Sequence, residues 1–239
     1  VIVHTASARD RLLERGIPEG KVVVVPHGPM PLPLPPSPEA LRLRDPSRHC
    51  FLIFGEIKPY KGIDVMIEAL ALLPASERRR VRCIVAGRPR MDLGPLQARI
   101  AQLGLDEVVD LRLRRQSDQE MVDLFAQADC FVMPYRQIDA SGVYYQVKYL
   151  GRWIIASRVG VFAEDLRDGR QGRLVDPDNA RALADALAEA IARPRTSQPG
   201  AEGIGWKGIA QKTLSVYREA LEAHRPGHRP VPSARDAQP

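Results

Sequence analysis

Cys50-Phe-Leu-Ile-Phe-Gly-Glu-Ile-Lys-Pro-Tyr-Lys-Gly-Ile-Asp64 is the stretch that decides the fold. A short apolar run ends at Gly55, and a loop with two lysines, Lys58 and Lys61, opens a helix whose apolar face carries Ile63, Met66, Ile67, Leu70 and Leu73. Strand, cationic loop and helix start together make an anion site, because free backbone N–H groups, the helix dipole and the ammonium groups converge on one point. Lysine is scarce in this chain. Only six of the 35 basic residues are Lys, and two of those six sit in this loop, which singles it out.

Working outward, the pattern alternates: strand 50–55, helix 62–74, strand 81–86, helix 94–103, strand 108–113, helix 118–127, strand 130–134, helix 142–150 and strand 153–157. A turn at Asp168-Gly169 and a short strand near 173–175 precede a helix over 179–192, capped by Asp178 or Asn179, and a last amphipathic helix runs over 206–223. Such alternation predicts an α/β fold, a Rossmann-like parallel sheet with helices on both faces. Upstream, Val1–Thr5 and Val22–Gly28 read as strands around a short helix over Ser7–Arg15. This piece has too little apolar surface for its own core. Because Val1 lies inside a strand, residues 1–28 are expected to be the tail of a preceding domain. Residues 29–48, with Pro31–Pro38 as their stiff extended part, are expected to be a linker, 49–195 the Rossmann-like layer, 196–224 a closing helix region and 225–239 a disordered tail.

Ligands of such sheets bind beyond the carboxyl ends of the strands. The unusual residues lie there: Gly55–Gly62 after the first strand, Gly87-Arg88 after the second, Tyr135–Gly142 after the fourth and Arg158–Gly160 after the fifth. Ser141-Gly142-Val143 opens a helix, so its N–H groups can meet phosphate oxygens, and Gly142 permits close approach. His27-Gly28 reads as a hinge, and Leu124, Phe125, Leu183 and Leu187 as core.

Composition narrows the function. At 239 residues and 44% hydrophobic, the chain can bury a full α/β core. No apolar run approaches the roughly 18 residues of a membrane span. Cys50, Cys83 and Cys130 each sit early in an apolar run, which reads as buried thiols of a cytoplasmic protein. The net charge of +6 is carried by arginines spread along helices, without an RNA-binding signature or finger spacing. Nucleic acid is therefore not the expected partner; anionic phosphates or an anionic lipid surface suit the charge better. No His/Cys cluster or Walker-type loop is present, so neither metal nor cofactor is expected.

In order, GEIKPYKGID, VRCIVAG, ADCFVMPYRQIDASGV, GRWIIASRVGVFAE, GRLVDPDN and the closing GWKGIAQKTLSVYREAL resemble the C-terminal domain of retaining glycosyltransferases of family 4, which have the GT-B fold. The resemblance covers roughly residues 1–223 and implies a donor-binding domain for a nucleotide-diphosphate sugar. The acceptor, a glycan, lipid-linked or small molecule, would be held by a separate N-terminal domain.

The resemblance assigns Lys61 to the donor diphosphate, where a fixed positive charge stabilises the departing nucleotide. Glu56 stands where the family has arginine, and Lys58 is the candidate replacement. Gly55, Gly87, Arg136, Asp139, Ser141, Gly142, Val143, Gln146 and Glu164 are the candidate donor-binding residues of this rim, Glu164 matching the acidic residue after the family's glycine-containing turn. Two family glutamates are replaced, by Ile138 toward the sugar and Gln146 toward the ribose, with Asp139 one residue from the first position. Trp153 stands where the family prefers proline, and Lys148-Tyr149 replaces a small apolar pair. These features together predict the donor half of a cytoplasmic retaining glycosyltransferase with room for peripheral contact with the inner membrane face, the half alone binding rather than catalysing. The rivals are a non-catalytic nucleotide-sugar binding module with a degenerate site and a GT-B sugar-nucleotide epimerase.

Overall fold

A computed structural model describes residues 1–166, 169–193, 195 and 205–223. The first half contains β1 (Ile2–Val3), α1 (Ala6–Glu14), β2 (Val23–Val24), α2 (Pro38–Arg42), β3 (His49–Phe54), α3 (Ile63–Leu72), α4 (Ala75–Arg78), β4 (Val81–Ala86), α5 (Gly94–Gln102) and β5 (Val109–Arg112). The second half contains α6 (Asp118–Gln127), β6 (Cys130–Met133), α7 (Gly142–Tyr149), β7 (Trp153–Ser157), α8 (Gly160–Asp165), β8 (Gly172–Val175), α9 (Ala180–Ala192) and α10 (Trp206–Ala223).

Strands β3 to β8 form one sheet in the order β5-β4-β3-β6-β7-β8, with every pairing parallel. The order reverses between β3 and β6. That reversal opens a crevice at the carboxyl ends of those two strands, where open α/β sheets bind ligands. Strand side chains alternate between two cores. Phe51 and Ile53 of β3, with Cys83 and Val85 of β4, face α3, α5 and α9; Cys50 and Leu52, with Ile84 and Ala86, face α6, α7 and α8. Burial on both faces is why β3 reads as a continuous apolar run. The expected core positions Leu124, Phe125, Leu183 and Leu187 are buried, and burial pushes the Cys50 thiol up to about 12.

Two parts of the predicted layout differ. The expected linker is not extended throughout, since its last part folds as α2. Ser37 caps that helix by accepting the Ala40 N–H at 3.1 Å, and its own N–H and Oγ–H donate to Asp123 of α6 at 2.8 and 2.9 Å. The short helices α4 and α8 are additions to the expected alternation. At the start of α9 the cap is Asn179, which accepts the Ala182 N–H at 2.9 Å, while Asp178 takes a left-handed conformation with φ 56°. Asp168 of the expected turn, part of the closing region (196–204 and 224) and the expected tail 225–239 lie outside the described residues.

Residues 1–28 form a small strand–helix–strand unit in which β1 and β2 pair in parallel and α1 buries no residue. The unit is anchored by contacts to the larger layer. His27 stacks on Tyr145 of α7 at 4.3 Å and meets the Trp206 edge at 5.4 Å, and Trp206 Nε1 donates to the Pro29 carbonyl at 2.8 Å. At Gly28 an added Cβ would lie 2.9 Å from the Trp206 ring, so the absence of a side chain lets the indole close over the junction.

Candidate donor-binding site

The rim begins where β3 ends. Gly55 adopts φ 99°, and the space left by its missing Cβ is filled from two sides: a Cβ there would stand 3.0 Å from Lys61 Nζ and 3.7 Å from Val143 Cγ2. The chain then makes one 3-10 turn over Pro59–Lys61 and enters α3 at Gly62, whose φ is 64°. A Cβ on Gly62 would meet the Pro134 carbonyl oxygen at 2.0 Å, so only glycine lets the β3 loop close on the β6 loop.

Lys61 is 5% exposed. Its ammonium donates to the Phe54 carbonyl at 2.7 Å and lies 5.2 Å from the centre of the buried Tyr135 ring. Burial, with a smaller contribution from Lys58, depresses its pKa to about 8. Helix α7 starts opposite. Ser141 caps it by accepting the Tyr144 N–H at 3.4 Å, Gly142 is its exposed first residue, and Gln146 lies half-buried one turn beyond Val143. Gly55, Lys61 and the Ser141–Val143 helix start therefore share one crevice, at the reversal of strand order. Ammonium and helix start make that point suited to an anion.

The other predicted residues have partners of their own. Lys58 pairs with Glu56 at 2.9 Å, and Arg90 pairs with the same carboxylate at 2.9 Å. These two cations hold the Glu56 carboxyl at about 2. Arg136 is tied to Asp64 at 2.6 Å, to Asp178 at 2.8 Å and to the Pro59 carbonyl at 2.8 Å. Asp139 pairs with Arg11 of α1. Both Glu164 oxygens accept N–H groups at the start of α1, from Ala6 at 2.7 Å and Ser7 at 2.8 Å, which hold its carboxyl below the ordinary range against the opposing effect of burial. Gly87 is a packing glycine, since a Cβ there would meet the Gly55 carbonyl oxygen at 2.0 Å. Ile138 presses its carbonyl against Gly160, where a Cβ would stand 1.8 Å from it.

Sequence reasoning passed over Tyr135 and Arg90. Tyr135 carried no sign beyond its place after the fourth strand. Arg90 had a faint one, being three residues past the glycine that ends β4.

The profile of the family described as Glycosyl transferases group 1 matches residues 42–201. The chain belongs to this family. Among curated relatives of this glycosyltransferase chain, D-inositol 3-phosphate glycosyltransferase of Saccharomonospora viridis is 30% identical over 72% of the chain and 43% of that protein. Its counterpart in Thermobispora bispora is 33% identical over 84% of the chain and 49% of that protein. The chain thus spans less than half the length of these curated relatives. Among solved structures, Anabaena HepE in complex with UDP and glucose superposes with a TM-score of 0.76 at 21% identity, over 93% of this chain and 62% of that one. Sucrose-phosphate synthase from Thermosynechococcus elongatus superposes with a TM-score of 0.74 at 22% identity, over 93% of this chain and 58% of that one. Both likenesses are likenesses of fold, and the expected GT-B layer is the one observed. Among the described residues, no helix is long and apolar enough to cross a membrane, and no group of three or more His, Cys, Asp or Glu could hold a metal ion.

Proposed function

We propose that this glycosyltransferase chain holds the nucleotide-diphosphate sugar of a retaining transfer reaction, the acceptor being held by a further domain. One observation carries the reading: Lys61 Nζ and Val143 converge on the side-chain-free space at Gly55, in the crevice between β3 and β6. In this reading the diphosphate lies against the Lys61 ammonium and the N–H groups of the Ser141–Val143 helix start, with Gln146 toward the ribose. The neighbouring basin of about 680 Å³, lined by Arg11, Tyr60, Arg136, Gln137, Ile138, Asp139, Val159 and Gly160, has room for the sugar. The names of the HepE complexes, with UDP and with UDP-glucose, support a uridine nucleotide as the first donor to try.

Transfer would form the acceptor O–C1 bond on the face from which the C1–O bond to phosphate breaks. The acceptor proton passes to the leaving phosphate oxygen, and Lys61 stabilises the negative charge that builds there. This chain's share is binding and leaving-group stabilisation; the chemistry needs the opposite wall of the cleft. No metal or other cofactor has a part in this scheme, and the reaction takes place in the cytoplasm.

The test is calorimetric titration of the chain with UDP-, GDP- and ADP-sugars beside Lys61→Ala. Saturable binding of one nucleotide, weakened at least about tenfold in the variant, supports the reading. Equal binding by parent and variant overturns the role of Lys61. A reading as a non-catalytic binding module draws on Ile138 and Gln146, neither acidic. Full-length protein that binds donor but transfers no sugar to any acceptor would favour it.

A further inference from the structure

The loops after β3 and β4 stay zipped together beyond the strand ends. Ile57 N–H donates to the Arg88 carbonyl at 2.9 Å, Arg90 N–H donates to the Ile57 carbonyl at 2.8 Å, and Ile57 and Pro89 form a parallel bridge. This pairing sets Arg90, from one loop, beside Glu56, from the other. Glu56 Oε1 accepts from Arg90 Nε at 2.9 Å, and the second Glu56 oxygen lies 2.9 Å from Lys58 Nζ. The same rim carries Lys61. Two cations therefore share the Glu56 carboxylate, and a third, Lys61, lies in the same loop on the carbonyl of Phe54.

An isolated carboxylate at this place would repel a phosphate. Glu56 instead fixes two long, rotamer-rich cations from separate loops at the carboxyl-end rim of β3 and β4, which lowers the entropy they lose on meeting a ligand. Both stay within reach of solvent, the Arg90 side chain being 45% and the Lys58 side chain 41% exposed. We infer that Arg90 binds the phosphates of the donor, and that Glu56 is the positioning residue that holds Arg90 and Lys58 over them. The inference rests on the donor-binding reading above. It adds a guanidinium, whose planar fork suits phosphate, to the ammonium of Lys61.

The experiment is calorimetric titration of the chain with UDP and with inorganic pyrophosphate, for the parent, Arg90→Gln, Glu56→Gln, Lys61→Ala and Arg79→Gln. Arg79, at the opposite end of the sheet, serves as the control. Arg90→Gln is expected to weaken both probes about threefold to tenfold and to flatten the fall of affinity with salt. Glu56→Gln is the sharper test. Charge counting alone makes removal of a carboxylate tighten anion binding, whereas a positioning role makes it weaken binding about threefold. The effects of Glu56→Gln and Arg90→Gln should also fall short of additivity in the double variant. The Arg90, Glu56 and Arg79 variants should melt within a few degrees of the parent, because those side chains are exposed. Unchanged affinity in Arg90→Gln, or tighter binding in Glu56→Gln, overturns the inference. If Lys61→Ala still weakens binding in that case, the donor reading stands without it. Failure of the folded parent to bind either probe removes both.

Discussion

The ammonium of Lys61 hydrogen-bonds to the carbonyl of Phe54 at 2.7 Å, in a residue only 5% exposed. A cation is thus held beneath the end of β3, in the crevice where the strand order reverses, rather than displayed on the loop surface. Such a group destabilises the fold in its charged form. With its pKa depressed from 10.5 to about 8, the charged form costs up to about 3 kcal/mol at neutral pH. Lys61→Met should therefore raise stability in urea at pH 7 by about 1–2 kcal/mol while removing donor affinity. A lowered unfolding midpoint in this variant would argue that the ammonium is a structural support.

The same residue sets a pH dependence. Below pH 8 Lys61 is protonated in both folded and unfolded chain, so its cost is fully present; between about 8 and 10.5 the unfolded chain binds the extra proton and this contribution to stability improves as pH rises. Donor affinity should run the other way, falling as pH climbs through 8. Because a bound diphosphate raises the Lys61 pKa, binding at pH 8 should take up a fraction of a proton and binding at pH 6.5 almost none. Titration in buffers of different ionisation enthalpy reads this directly, and equal enthalpies at pH 8 would exclude Lys61 as the group beside the phosphates.

Gly62 and Gly104 have nearly the same φ, 64° and 61°, but of the two only Gly62 has a neighbour in the way, the Pro134 carbonyl 2.0 Å from an added Cβ. Gly104→Ala should cost about 1 kcal/mol, the strain of a left-handed alanine. Gly62→Ala should cost clearly more, about 3 kcal/mol or above, and should weaken donor binding by parting the two loops. Equal denaturation midpoints for the two variants would mean that the loop contact yields freely.

Glu164 works as an N-terminal cap for α1, although it belongs to another part of the chain. Glu164→Ala should speed hydrogen exchange at Ala6 and Ser7 and lower the local stability of α1 by about 1 kcal/mol. Its pKa is lowered in the folded chain, so the contribution is present at neutral pH and lost as acid protonates the carboxylate. Unchanged exchange at those two amides would show that the cap carries no stability.

Much of the layer was legible because its signals are local. Strand and helix periods, the Gly55 and Gly62 punctuation and the Asn179 cap all follow from residues within a few positions of each other. What escaped was decided across long separations. The Ser37–Asp123 contact turned part of an expected linker into α2, and α8 is too short to show a helical period. The partners of Lys58, Arg136, Asp139 and Glu164 were equally invisible. Motif order could place these four beyond the carboxyl ends of the strands, but it could not reveal that Glu56, Asp64, Asp178, Arg11 and the start of α1 already engage them. Lys61 stood out for a different reason, because lysine is scarce in this chain and two of its six lysines lie in the loop between Gly55 and Gly62.

The seating of His27 between Tyr145 and Trp206 has a mechanical consequence. The passage out of residues 1–28 and the start of α10 meet on one side of α7, so any turning of the N-terminal unit against the sheet pivots there. Gly142, the first residue of α7, sits within a turn of that pivot. The tip of α1, joined to Glu164 and through Arg11 to Asp139, sits at the end of the lever. His27 thus acts as the rivet between three parts of the chain that lie far apart in sequence, and a small residue in its place would loosen all three at once.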